Sequence, residues 1–199
     1  MKAFILLMKN SIVIFFCFAV VALTSYGQQK VTEETNPLFP VRQNDKLGYI
    51  DKTGTIIIPP QFDDALHASK GLIPVMINGK FGYVDRRGAI VIKPQFDIVS
   101  TFSEGLASVM INDKWGFINK TGKITIKPQF DLAWSFSEGL ACVEINGKWG
   151  YINREGKMVV NPQFDRAFPF FSEGLAGVRV GKKFGYIDKT GKYIWKPTR

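Results

Sequence analysis

The chain has 199 residues, of which 46% are hydrophobic and 14% aromatic, and its formal net charge is +9. This composition supports a continuous apolar core and excludes an intrinsically disordered chain. With one histidine and two cysteines, the chain has too few ligands for a metal site built from clustered His and Cys.

Residues 1–27 have the features of a secretory signal peptide. Two lysines precede an apolar run at residues 12–23, and small residues stand just before Gln28. We expect cleavage before Gln28, which leaves no membrane span, and the alternative is an uncleaved N-terminal anchor. The mature chain then has 24 basic and 17 acidic residues. Residues 28–37 are polar and are predicted to be a linker.

From residue 38 onward, a unit of about 34 residues recurs. The predicted copies are residues 38–71, 72–105, 106–139, 140–174 and 175–197. A fixed period of this length indicates a tandem-repeat fold. Apolar and polar residues alternate within the copies, for example at 123–127. This alternation predicts β-strands with one buried face rather than helices.

Each copy is predicted to form a three-stranded antiparallel meander. In the copy 106–139, residues 112–113 suit a type I′ hairpin, whereas Gly181-Lys182 in the last copy favours type II′. A second turn follows at residues 119–122, and Pro128 ends the third strand. We expect the sheets to stack in an elongated, twisted array, with a curved or propeller-like closed arrangement as the alternative.

Prolines and glycines refine this prediction. Pro40 and Pro74 fall within first strands, which indicates that the first strand lies at an edge or pairs on one side only at those points. The second strand of each copy contains a glycine, for example Gly116. Glycine weakens a strand unless something approaches closely, so we expect it to pack beside the bulky residue before it.

A connector with the motif Pro-Gln-Phe-Asp follows the third strand. Its phenylalanines are predicted to fill the core: Phe62, Phe96, Phe130 and Phe164. Its aspartates are expected to cap backbone N–H groups: Asp63, Asp97, Asp131 and Asp165. A Ser-Glu-Gly segment then leads into the next copy.

The motif Lys-Trp-Gly-Phe/Tyr-Ile-Asn occurs at Lys114 and Lys148, followed by the glycine, Pro-Gln-Phe-Asp and Ser-Glu-Gly-Leu-Ala. Together these segments resemble the WG repeat family, also called KWG repeats, over residues 38–197. The tryptophans and their equivalents are expected in the core: Leu47, Phe81, Trp115, Trp149 and Phe184. The resemblance implies a β-repeat scaffold, often exported by bacteria, and no particular reaction.

Acidic residues recur once per copy, and a pair of them could serve glycoside hydrolysis. Because they recur in step with the repeat, turn and capping roles are the favoured interpretation. His67 is expected to be an ordinary surface or packing residue, and Cys142 a tolerated small residue. We therefore predict no catalytic, cofactor-binding or metal-binding residue.

One connector position varies among the copies: Leu66, Ser100, Trp134 and Phe168. Trp134 and Phe168 could form an exposed stacking platform, or they could fill gaps between connector and sheet, which is the favoured interpretation. Outward strand positions vary in the same way. The candidate partner-binding residues are therefore Trp134, Phe168, Met110, Glu144 and Arg179.

These patterns favour an exported, non-enzymatic β-repeat protein that serves as a protein-interaction scaffold in the bacterial envelope. We expect it to be secreted, periplasmic or attached to the cell surface, and to need no cofactor. A carbohydrate-binding module for envelope glycan is the alternative, and a glycan hydrolase is the least favoured. Lysines interleaved with acids indicate a solvated surface rather than a nucleic-acid track.

Overall fold

The computed structural model describes residues 37–68, 71–169 and 172–196. The predicted signal peptide, nearly all of the predicted linker and the last three residues lie outside these ranges. Within them the regular elements are nineteen antiparallel β-strands in five sheets, as the alternation predicts.

The first sheet contains β1 (Phe39–Gln43), β2 (Lys46–Ile50) and β3 (Ile56–Phe62). The second contains β4 (Asp64–Ala65), β5 (Ile73–Ile77), β6 (Lys80–Val84) and β7 (Ile90–Phe96). The third contains β8 (Ile98–Val99), β9 (Leu106–Ile111), β10 (Lys114–Asn119) and β11 (Ile124–Phe130). The fourth contains β12 (Leu132–Ala133), β13 (Ala141–Ile145), β14 (Lys148–Ile152) and β15 (Met158–Phe164). The fifth contains β16 (Arg166–Ala167), β17 (Leu175–Val180), β18 (Lys183–Asp188) and β19 (Tyr193–Trp195).

Four of the five sheets thus have a short fourth strand beyond the predicted meander. This strand comes from the connector and pairs with the long strand that was expected at the edge, as β8 does with β9. Pro74 shows how a proline is tolerated there. Its carbonyl accepts a hydrogen bond from the N–H of Leu66 at 3.0 Å, and the N–H that proline lacks would point to the same side of the strand. Among the first long strands of the five described sheets, β1 alone lies at an edge, as predicted.

The hairpin turns have the predicted backbone. Asn112 and Asp113 have φ angles of 50° and 60°, which identifies the type I′ turn. In the second turn, the Asn119 side chain accepts hydrogen bonds from the N–H groups of Thr121 and Lys123, each at 3.0 Å. Gly181 alone has a positive φ in the last hairpin, as type II′ requires.

The second-strand glycine is a close-approach position, but its neighbour differs from the prediction. A Cβ on Gly116 would lie 2.6 Å from the carbonyl oxygen of Ile126 and 2.7 Å from the nitrogen of Pro128. The register of β10 and β11 shifts at this point, so the backbone of the third strand bulges toward the glycine. The neighbour is therefore the opposite backbone, not the bulky residue before the glycine.

Successive sheets pack face to face, and the apolar core lies between them. Between the third and fourth sheets, Phe117, Ile126 and Phe130 of one meet Ala141 and Val143 of the other. The four connector phenylalanines are at most 2% exposed, so their predicted role as core residues is confirmed. The sheets follow chain order and do not close into a barrel.

On the first, second and fourth sheets, a tyrosine ties the sheet face to the next connector. The hydroxyl of Tyr83 donates to the carbonyl of Ser100 at 2.8 Å, and Tyr49 and Tyr151 make the equivalent bonds. Burial raises the pKa of Tyr49 to about 12. The structure describes no sheet after the fifth, where the equivalent Tyr186 is 43% exposed.

Candidate functional site

The predicted candidate residues Trp134 and Phe168 occupy the same place on the fourth and fifth sheets. Each follows a short connector strand, β12 or β16, and donates its backbone N–H to the first long strand, at the carbonyls of Cys142 and Gly177 respectively (both 2.9 Å). Their side chains are 49% and 55% exposed. An aromatic ring is thus presented to solvent at matching points of two neighbouring sheets.

A cavity of about 210 Å³ lies next to Trp134, between the third and fourth sheets. Its walls are mostly apolar, with serines at three places, and the lining residues are Val99, Ser100, Ser108, Trp115, Leu132, Ala133, Trp134 and Ser135. Because Leu132 and Trp134 are both more than 40% exposed, the cavity reaches the surface at their edge. No charged side chain lines it.

The serines of this cavity are held differently from one another. The Ser100 hydroxyl accepts a hydrogen bond from the N–H of Ser108 at 3.0 Å and donates to the carbonyl of Thr101 at 3.1 Å. Ser108 is 1% exposed, and within the described residues its own hydroxyl has no hydrogen-bond partner. A buried polar group normally has one, so this hydroxyl is available to a ligand.

The cavity exists because Ser100 is small. Its equivalents on the other sheets are Leu66, Trp134 and Phe168, all bulky. On the fifth sheet the Phe168 ring lies edge-on to Phe184 with centroids 5.8 Å apart, and Phe184 is the counterpart of Trp115. On the fifth sheet a bulky residue at the variable connector position thus lies against the second-strand aromatic residue, and on the third sheet space remains beside Trp115 and Ser100.

The remaining candidates are distributed over three sheets. Met110 lies opposite Trp115 in the register of β9 and β10, which places it in the strand pair that carries one wall of the cavity. Glu144 is half-buried and lies opposite Trp149. Arg179 is exposed and lies between Arg166 and Phe184 in the strand register. The five candidates therefore do not converge on one point.

The sequence prediction missed most of the cavity. Trp115 was expected to be core, but it and Trp149 are only partly buried, as is Phe184, whereas Leu47 and Phe81 are buried. Ser100 was aligned correctly, and the signal that could have revealed the cavity was one small residue at an otherwise bulky position.

The recurring acids have structural partners. Asp131 receives an ion pair from Lys114 at 2.5 Å and a hydrogen bond from the N–H of Asn146 on the next sheet at 2.7 Å. The Lys114 ammonium first, and then the Asn146 N–H, hold the pKa of the Asp131 carboxyl below its usual range. Glu104 accepts a hydrogen bond from the N–H of Gly139 at 3.1 Å. The predicted capping role of the aspartates is thereby confirmed, with a hairpin turn as the partner.

Other titratable groups do not form a cluster. Cys142 is fully buried, and burial raises the pKa of its thiol. His67 is exposed in its connector. Across residues 37–68, 71–169 and 172–196, no group of three or more His, Cys, Asp or Glu side chains is placed to hold a metal ion. The same residues include no helix with the length and apolar character needed to span a membrane.

Solved structures with this architecture are β-propeller-like proteins. BamB from Moraxella catarrhalis aligns with a TM-score of 0.52 and 10% identity, over 81% of this chain and 58% of its own. Hsv2 from Kluyveromyces lactis aligns with a TM-score of 0.54 and 10% identity, over 83% and 63%. A eukaryotic initiation factor aligns with a TM-score of 0.55 and 11% identity, over 82% and 52%. The chain thus spans less than two thirds of each.

No curated protein matches the chain in sequence. The family model described as "WG containing repeat" matches four consecutive segments, residues 48–81, 81–115, 115–149 and 149–184. Each segment begins in the second strand of one sheet and ends at the start of the second strand of the next. The matches extend over more than half of the sequence, and the chain belongs to the WG containing repeat family.

Proposed function

We propose that this protein is an exported, non-enzymatic binding module that holds a protein partner on its connector surface. The observation that carries the proposal is the exposure of Trp134 and Phe168 at one equivalent position of neighbouring sheets. Tryptophan and other large aromatic residues contribute most of the binding energy at many protein interfaces. The scaffold around them is constant, so variation at this position can change the partner without changing the fold.

The contacts of the recurring aspartates support the proposal that the protein is non-enzymatic. Asp63, Asp131 and Asp165 each accept a hydrogen bond from a backbone N–H of the following sheet. A catalytic carboxylate has to be free to exchange protons with substrate, whereas these carboxylates join neighbouring sheets. Export is supported by the signal-like segment at residues 1–27.

The test uses the chain from Gln28 to Arg199, immobilised and exposed to an envelope extract of the source bacterium. We expect a specific protein to be retained by the wild type and lost with the double variant Trp134→Ala/Phe168→Ala. The matched control is Ile90→Ala/Ile124→Ala, which removes side chains of comparable exposure (53% and 44%) from third strands. Retention by the double variant, or equal loss with both pairs, would contradict the proposal.

A glycan array probed with the same variants addresses the carbohydrate alternative, which exposed tryptophan also suits because sugar rings stack on aromatic faces. If glycan binding depends on Trp134 and Phe168 and no protein is retained, the ligand is a glycan and not a protein. N-terminal sequencing of the native protein tests export, and the expected first residue is Gln28.

A further inference from the structure

We propose that the cavity between the third and fourth sheets receives one aromatic side chain of the partner, a tyrosine or a tryptophan. This inference rests on the proposed function, since it names the group by which the partner is held. It is carried by three observations: the small residue at position 100, the size of the cavity and the buried hydroxyl of Ser108.

The protein itself shows what fits in this position. On the fifth sheet, the Phe168 ring meets Phe184 edge-on, and it closes over Gly177 so tightly that a Cβ there would lie 2.9 Å from the Phe168 ring. On the third sheet the same three positions are Ser100, Trp115 and Ser108. The ring that the chain supplies on the fifth sheet is missing on the third, where the cavity lies beside Trp115. Because Ser108 has the Cβ that Gly177 lacks, a ring that enters the cavity has to lie further from the first long strand than Phe168 does.

The size of the cavity agrees with an aromatic ring. A cavity of about 150 Å³ in another protein takes benzene, so about 210 Å³ accommodates a phenol or an indole. Trp115 offers a ring for edge-to-face packing, and Val99 and Ala133 add aliphatic walls. The exposed edge at Leu132 and Trp134 leaves a way in from solvent.

The hydroxyl of Ser108 selects among aromatic side chains. It is buried and has no hydrogen-bond partner within the described residues. A phenol O–H or an indole N–H can donate to it, whereas a phenylalanine ring would leave it unpaired. Because no charged residue lines the cavity, a carboxylate or phosphate would lose its hydration without compensation. A sugar would bury several hydroxyl groups for few polar partners.

The experiment titrates the chain from Gln28 to Arg199 with N-acetyl-tryptophanamide, p-cresol and toluene, followed by NMR chemical-shift changes. We expect saturable binding of all three probes, weakest for toluene, with the largest shifts at Trp115, Ser108 and Trp134. The variant Ser100→Phe, which copies Phe168, is expected to abolish this binding. Its matched control is Ile124→Phe, which adds the same ring at an exposed site away from the cavity.

A second variant tests the hydroxyl. Ser108→Ala should weaken p-cresol binding by about five-fold, the usual loss for one hydrogen bond, and leave toluene binding unchanged. Equal weakening of both probes would overturn the role of the hydroxyl. Absence of any saturable binding to the wild type, or undiminished binding to a folded Ser100→Phe variant, would overturn the site.

The source of the ring is tested separately. If p-cresol binds but neither N-acetyl-tryptophanamide nor a tyrosine-containing peptide does, the cavity receives a free small aromatic molecule and not a side chain of the partner. If Ser100→Phe leaves partner retention intact, this inference fails while the proposed function stands. If Trp134→Ala/Phe168→Ala leaves retention intact, the proposed function fails, and probe binding by the wild type then reports on the cavity alone.

Discussion

The carboxylate of Asp131 accepts a hydrogen bond from the backbone N–H of Asn146, 2.7 Å away on the following sheet. The same carboxylate is paired with Lys114 of its own sheet. One side chain therefore joins two sheets, and the arrangement recurs around Asp63 and Asp165. Loss of such a residue should loosen a junction and leave each separate sheet intact.

We predict that Asp131→Ala lowers the thermal unfolding midpoint and increases hydrogen exchange at Asn146 in particular. The reason is that the hairpin N–H loses its acceptor and Lys114 loses its counter-charge. The control is Glu155→Ala, since Glu155 takes part in the described hydrogen bonds only through its backbone N–H. Unchanged exchange at Asn146 would show that the bond contributes nothing to the junction.

Stability should fall in acid because of the same carboxylates. The bonded lysine in each case holds the pKa of Asp63, Asp97, Asp131 and Asp165 below the usual range. A pKa lowered by folding gives stability that is present above the unfolded value of about 3.9 and disappears as the pH drops through the folded value. We expect a nearly constant midpoint from pH 7 to 5 and a fall below pH 4. A quadruple Asp→Asn variant should show a flatter profile, and an equally steep one would assign the acid loss to other groups.

The second-strand glycine should be intolerant of any side chain. In Gly116→Ala the new Cβ would collide with the backbone of Ile126 and Pro128, which cannot move without breaking the sheet. We expect a loss of about 3 kcal/mol or more in the free energy of unfolding. Gly139→Ala is the control: its Cβ meets nothing within 4 Å, but its φ is +86°, so the expected loss is about 1 kcal/mol. Chemical denaturation measures both losses, and equal losses would mean that the third-strand backbone yields to the new Cβ at residue 116.

The sequence could predict elements whose cause is local. The Asn-Gly and Asn-Asp turns require positive φ, and the alternating strands require one buried face, so hairpins and core phenylalanines followed from neighbouring residues alone. The short strand Ile98–Val99 could not be predicted in this way, because two residues cannot show an alternation. The close neighbour of Gly116 also escaped prediction, since the bulge that forms it belongs to another strand.

The candidate site was only half predictable for a similar reason. Trp134 and Phe168 stood out as large residues at a varying position, and both are exposed. The cavity depends instead on what Ser100 lacks, and on how closely two sheets approach. Distances between sheets result from the packing of the whole core, which a single sequence does not give.

The buried tyrosine hydroxyls should contribute to stability only where a following sheet is present. Tyr83→Phe removes the donor that satisfies the Ser100 carbonyl, and the expected loss is about 1 kcal/mol. Tyr186→Phe, on the open face of the fifth sheet, should change the free energy of unfolding by less than about 0.5 kcal/mol. Urea denaturation of the two variants provides the measurement. Equal effects would contradict the structural difference between the two faces.

The reciprocal change should stabilise the protein. Phe117 and Phe136 lie 4.9 Å apart at 59°, almost the geometry of Tyr83 and Phe102 (4.9 Å and 55°). A hydroxyl on residue 117 would therefore point to the carbonyl of Trp134, as that of Tyr83 points to Ser100. We expect Phe117→Tyr to raise the free energy of unfolding by about 0.5–1 kcal/mol, and a loss in the same urea experiment would show that the larger ring overfills the core.

Each described sheet after the first takes its short outer strand from the connector, directly after the preceding sheet ends. The repeating unit can therefore begin at any residue of the repeat. A duplication of 34 or 35 codons that starts anywhere in the array restores one whole sheet with its turns and its junction aspartate. Such an array can lengthen or shorten by one step without redesigning any contact. Its size is therefore open to change during evolution, while the residue at the variable connector position can differ from copy to copy.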